Sequence, residues 1–199
     1  TLNAFLFKDG VALLDSDGNP QYSSFFIDRD DVLMEYDWDT FGLEATASHS
    51  FSVVDLVVEA NRAFTLSPEA RKSESLIYKY PFISFAEATL CVNYMGMFAR
   101  FLAVVEKEFL RRAADSVWNR DFGKSYLQEL DAMHTRFMDD RRRLYAILED
   151  SWEALNKGEE DLSAFCDQIA SSCRALVAAL KVDTFTLYQR TGIKGAQRQ

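Results

Sequence analysis

Over positions 125–156 apolar side chains return every three or four residues, at Tyr126, Leu130, Met133, Phe137, Leu144, Leu148, Trp152 and Leu155. Since 3.6 residues complete an α-helical turn, that spacing gathers them on one side of a helix, whereas a strand would alternate its faces every second residue. The stripe lapses only at 139–143, and Asn156-Lys157-Gly158 supplies a stop. A second stripe, Leu162, Phe165, Ile169, Cys173, Leu176 and Leu180, follows Glu159, Glu160 and Asp161, acids that suit the positive end of a helix. A third segment begins at Ser84 and Glu87, which have capping-box spacing, and runs to about Arg112. It is apolar nearly all round, with Cys91, Val92, Met95, Phe98, Leu102 and Phe109 among its residues, so neighbours are expected on several of its sides.

The start of the chain reads differently. Positions 3–8 and 11–14 flank Asp9-Gly10, the pair that a type I′ turn favours because both central residues take positive φ. A second turn, Asp15 to Pro20, leads into positions 21–27. Ser52 and Asp55 are placed to cap a helix running to about Phe64, with Val53, Val54, Leu56, Val57 and Ala60 as its apolar face. Ser67-Pro68-Glu69 marks the start of a further short helix that must end before Tyr80-Pro81.

The expected fold is therefore mainly α. Three long helices and one or two short ones form an antiparallel bundle, preceded by a small β-hairpin or three-stranded meander, an α+β arrangement. An acidic β-rich segment over 1–50 and a helical region over 51–199 are expected to pack as a single domain.

Composition sets the class. With 48% hydrophobic and 27% charged residues, the 199-residue chain has the means to bury a core. Cys91, Cys166 and Cys173 are odd in number and lie in helical stretches, which argues against a disulfide framework. The first residues lack a basic stretch, apolar run and cleavage site, and the longest uncharged apolar run, 88–99, is shorter than the ~20 residues of a membrane span. A cytoplasmic protein without a membrane partner is the expectation.

Charge is segregated. The first 60 residues carry 12 of the 31 acids but only Lys8 and Arg29 among the bases, so they account for the whole net charge of −9. The densest stretch, Asp28, Asp30, Asp31, Glu35, Tyr36, Asp37, Trp38 and Asp39, mixes carboxylates with large aromatic groups. Such a surface repels nucleic acid and steers towards a basic protein partner. These eight residues are the candidate partner-binding set, with the aromatics as anchors and the acids as steering groups.

Catalytic signatures are sparse. No glycine falls in a phosphate-cradling pattern, and His49 and His134 are the only histidines. Asp131 and His134 have the carboxylate-x-x-His spacing of helical di-iron sites, but no second such motif exists. Asp15, Asp17 and Asn19 imitate the start of a calcium loop, yet Pro20 and Phe26 occupy positions that need glycine and glutamate. Glu149-Asp150-x-x-Glu153 resembles half of the carboxylate cluster with which all-α nucleotide pyrophosphatases hold Mg²⁺, and the other half is not evident. Asp139-Asp140-Arg141-Arg142-Arg143 can neutralise itself, for example through Asp139 with Arg143. Arg100 either reaches the surface or is paired inside.

No catalytic residue, metal or cofactor is assigned from these patterns. They point to a non-enzymatic binding module of inhibitor or immunity type docking a basic, nucleic-acid-handling protein. The alternatives are an assembly subunit that forms a homo-oligomer through its Phe-rich helices, and a Mg²⁺-dependent helical nucleotide hydrolase using Glu149, Asp150 and Glu153.

Overall fold

A computed structural model describes residues 1–40, 43–65 and 70–192. The chain divides into two compact units, Thr1–Glu74 and Ser75–Gln199. Well over half of it is helical, with a small N-terminal β region.

In the first unit, β1 (Leu2–Phe5) pairs antiparallel with β4 (Tyr22–Phe25), and β7 (Ala63–Phe64) lies along the other edge of β4. Between β1 and β4, the short strands β2 (Phe7–Lys8) and β3 (Val11–Ala12) form the expected hairpin. Its turn has φ of 51° at Asp9 and 78° at Gly10, the left-handed pair that a two-residue hairpin needs. Asp15 closes the second turn, its Oδ1 accepting hydrogen bonds from the backbone N–H of Asp17 and Asn19. A third ladder joins β5 (Leu33–Glu35) to β6 (Ser50–Ser52).

The expected helix from Ser52 to Phe64 does not form. Ser52 ends β6, Asp55 bends the chain with φ of 50°, and no helical turn forms until one 3₁₀ turn, Ala60–Arg62, before β7. Val53, Val54, Val57 and Val58 explain this, because β-branched side chains lose rotamer freedom in a helix and fit extended backbone. The signal at Ser67-Pro68-Glu69 lies outside the described residues.

In the second unit, a 3₁₀ turn, Leu76–Lys79, precedes α1 (Phe82–Arg112), whose N-cap is Pro81. The helix thus starts ahead of Ser84, which is buried inside it instead of capping it. Next come one short turn of helix, α2 (Ser116–Trp118), a π turn (Asn119–Gly123), and then α3 (Lys124–Asn156) and α4 (Ser163–Thr191). Asp115 caps α2 by accepting from the N–H groups of Val117 and Trp118.

The core is a set of narrow seams. On α1 the buried residues are Ser84, Ala88, Cys91, Met95, Phe98, Leu102, Val105 and Phe109, alternately four and three apart, the heptad spacing of knobs-into-holes packing. Ile169, Cys173, Leu176, Leu180, Asp183 and Leu187 continue the same rhythm on α4. Helix α1 is therefore not covered all round: Leu90, Tyr94 and Met97 are exposed, and Arg100 lies at the surface. By length and composition alone α1 could cross a membrane, yet its seam faces α4 and α3. Helices α1 and α3 run antiparallel. Phe109 meets Tyr126 at one end, Phe98 meets Phe137 in the middle, and the Tyr80 and Ser151 hydroxyls lie 2.7 Å apart at the other.

Candidate functional site

Helices α1 and α3 touch less than either touches α4, and a groove of about 680 Å³ opens between them. Two sequence features keep it open. On α1, Gly96, Ala99 and Ala103 line it at near-helical spacing, and a Cβ placed on Gly96 would meet no atom within 4 Å. On α3, the apolar stripe lapses between Phe137 and Leu144, so no side chain is fully buried there, and Met138 and Arg141 border the groove without closing it. Val92, Met95 and Leu102 on one side and Leu127, Leu130 and Met138 on the other give the groove apolar walls.

Its polar groups sort by position. Glu106 and Asp131 share one end, because the antiparallel pairing sets the C-terminal part of α1 beside the start of α3. Arg141 and Tyr145 mark the other, ten residues or about 15 Å further along α3 from Asp131 to Arg141. His134 lies between. The Arg141 guanidinium sits over the Tyr145 ring, 5.2 Å from its centroid, an arrangement worth roughly 0.5–1 kcal/mol at an exposed position.

Arg141 is set apart from its neighbours. Arg142 pairs with Asp139 and Arg143 with Asp140, each three residues back, in place of the expected Asp139 with Arg143. Arg136 holds Asp183 of α4. Among the described residues Arg141 alone of the α3 arginines has no carboxylate partner, and Glu106, Asp131 and His134 likewise make no side-chain hydrogen bond or ion pair. The groove therefore presents an apolar slot with an acceptor-rich end and a cationic end, each with capacity to spare.

The eight candidate partner-binding residues lie in the other unit. Asp28 is bound by Arg62 at 2.6 Å. Asp37 accepts from the Ser50 backbone N–H at 2.8 Å and hydroxyl at 2.5 Å, which hold its carboxyl below the usual range. Trp38 is half-buried, its backbone N–H on Nδ1 of His49 and its indole N–H on the Leu43 carbonyl, while Tyr36 stands edge-on to His49. Asp30, Asp31, Glu35 and Asp39 are exposed. Half of the stretch thus has structural work within the first unit. Glu149, Asp150 and Glu153 are exposed on α3, with Glu153 paired to Lys157, and among the described residues no three metal-ligating side chains converge.

Sequence reasoning singled out Asp131 with His134 and the lapse at 139–143, but not the groove that unites them. Its signal was the run of small residues at 96, 99 and 103 opposite that lapse.

Comparison with known proteins gives three likenesses. The chain is 29% identical over 153 residues to an indole-3-acetate monooxygenase from Acinetobacter baumannii, a match covering 75% of this chain. Its fold matches a 3-HSA hydroxylase from Rhodococcus sp. RHA1 with a TM-score of 0.79 at 18% identity, over 94% of the chain. It matches the HsaA monooxygenase from M. tuberculosis with the same score and identity over 99%. Two of the three are named monooxygenases and one a hydroxylase. The chain spans 38% of the length of the Acinetobacter relative and about half of each structure. No family model matches the sequence.

These likenesses overturn the inhibitor or immunity-type reading. That expectation leaned on missing catalytic motifs and on charge segregation, and the first argument has little force for a chain that spans only part of each relative.

Proposed function

We propose that this chain forms the helical and β-rich part of a monooxygenase acting on an apolar, ring-containing substrate. The observation that carries the reading is the coincidence of fold and sequence class: two hydroxylating enzymes share the fold across nearly the whole chain, and the sequence relative is also a monooxygenase. On this reading α1, α3 and α4 are an antiparallel bundle, and the α1–α3 groove is its substrate wall.

In the reaction class, one atom of O₂ enters a C–H bond and the other leaves as water, consuming two electrons and two protons from a reductant. The residues of this chain would contribute binding and orientation. The apolar walls exclude water from the ring, and Asp131 or His134 accepts a hydrogen bond from a ring N–H or O–H. The test is turnover of indole-3-acetate by the full-length protein with a two-electron reductant under ¹⁸O₂. One labelled oxygen atom per hydroxylated product is expected. Label arriving from H₂¹⁸O instead, or no oxygen-dependent product, refutes the proposal.

A further inference from the structure

We infer that the α1–α3 groove is a binding site for an elongated aromatic carboxylate, whose anionic group pairs with Arg141 and whose rings lie over Gly96. The inference deepens the proposed function by naming a substrate class, and it rests on reading the groove as the substrate wall.

Three observations converge. First, a run of three arginines is neutralised everywhere except at the one that lines the groove, since Asp139 and Asp140 are spent on Arg142 and Arg143. Tyr145 then orients the remaining guanidinium by its ring face, which leaves the N–H fork free for a carboxylate. Second, the floor beneath is open for a ring. Glycine within a helix costs about 1 kcal/mol relative to alanine, and no atom lies near the place its Cβ would take. The lost side chain leaves room on the groove side and relieves no clash. Third, the far end has the opposite chemistry. His134 lies seven residues before Arg141, about 10 Å along the helix, with Asp131 and Glu106 beyond it. A fused-ring acid spans that interval with a hydrogen bond at each end, its carboxylate at Arg141 and a ring donor at His134 or Asp131. A cation or dication would meet Arg141 unfavourably, and a neutral hydrocarbon would leave both ends unsatisfied.

The experiment is anaerobic calorimetry on the full-length protein without reductant, so a failure here is separate from a failure of oxygenation. The probes are naphthylacetate and its neutral, equally sized amide. The acid is expected to bind about five-fold tighter than the amide, the upper range for a solvent-accessible ion pair. Arg141→Gln should bring the acid down to the level of the amide and leave the amide unchanged. Gly96→Leu should weaken both by about ten-fold or more by filling the floor, with helix content retained because leucine is the better helix former.

Equal binding of the two probes, or binding of neither, overturns the proposal. So does an Arg141→Gln variant that loses both alike, or a Gly96→Leu variant that binds as before. The same variants run by sedimentation velocity should keep the wild-type mass. If Gly96→Leu instead shifts the oligomeric state and spares probe affinity, a second copy of the chain covers the groove and the ligand site is refuted.

Discussion

Asp183 occupies a seam position between Leu180 and Leu187, and its carboxylate is only 9% exposed, with both oxygens held by one guanidinium nitrogen of Arg136 at 2.8 and 2.7 Å. Stripping away Arg136 would strand that charge in the α3–α4 contact. A fully buried carboxylate left without its partner costs about 3–5 kcal/mol. The Arg136 side chain is 48% exposed, so water reaches the vacated place and the expected cost of Arg136→Ala falls to about 2 kcal/mol. Replacing the acid by leucine extends the apolar seam and removes the charge that needed compensating. Asp183→Leu is therefore expected to lie within ~1 kcal/mol of wild type, and in that background Arg136→Ala should be nearly silent. Urea unfolding followed by circular dichroism, with the slope checked for constancy, measures all four corners of the cycle. If Arg136→Ala alone shifts stability by less than ~0.5 kcal/mol, the range of an ordinary surface change, the pair is a surface contact and the reasoning fails.

Two further outcomes follow from side-chain environments. Hydrogen bonds from Arg111, and after it Arg112, hold the Glu108 carboxyl down to about 2 from its usual 4.5. A depressed acid stabilises the fold above its unfolded pKa, and that contribution fades as pH falls from about 4.5 to 2. Glu108→Gln should thus cost on the order of 1 kcal/mol at neutral pH and flatten the acid limb of a stability-against-pH curve; an unchanged limb contradicts it. Burial pushes the Cys173 thiol up to about 12 and raises Cys91 as well, whereas Cys166 is half-buried on α4. A disulfide reagent should therefore label Cys166 alone in the native protein and all three thiols after denaturation, by mass spectrometry; native labelling of Cys173 would show that the seam opens.

The helices were legible because their signal is local and repeated. The α3 stripe gave bounds of 125–156, against Lys124–Asn156 observed, and the six residues expected to line α4 are buried apart from a half-buried Phe165. The hairpin at Asp9-Gly10 was equally readable, since two residues fix its backbone. Errors arose where two local rules compete. Ser52 with Asp55 satisfies a capping rule, but four valines within six residues favour extended chain, and pairing of β6 with β5 settles the contest through residues fifteen to nineteen apart. Ser84 also had the right spacing to cap, and Pro81 took the role. Asp183 went unnoticed because a lone acid in an apolar stripe reads as a break, whereas its partner is 47 positions away on α3. The groove is legible only in retrospect, as small residues on one helix opposite a lapse on another, because nothing in one sequence states which helices are neighbours. The internal partners of the acidic segment were hidden for a related reason. Charge density is a property of composition, but the engagement of Asp28 by Arg62 and of Asp37 by Ser50 depends on the fold.

The π turn between α2 and α3 sets an angle. Each residue of an α-helix advances its direction by ~100°, so the number of residues in the π turn at Asn119–Gly123, which has helical backbone on both sides, fixes the phase of α3 relative to α2. Removing one residue there would rotate α3 by about that amount, swinging Leu130, Met133 and Phe137 out of the seam and carrying Asp131, His134 and Arg141 away from α1. Arg120, Asp121 and Phe122 are exposed there, the first two paired with each other and Phe122 against the Tyr126 ring. At Gly123 a Cβ would come within 2.4 Å of the Asn119 side-chain oxygen and 3.1 Å of the Trp118 ring, so any larger residue must push the Asn119 side chain aside. The π turn thus acts as the indexing pin of the groove: its length, more than its chemistry, decides which side chains a ligand would meet.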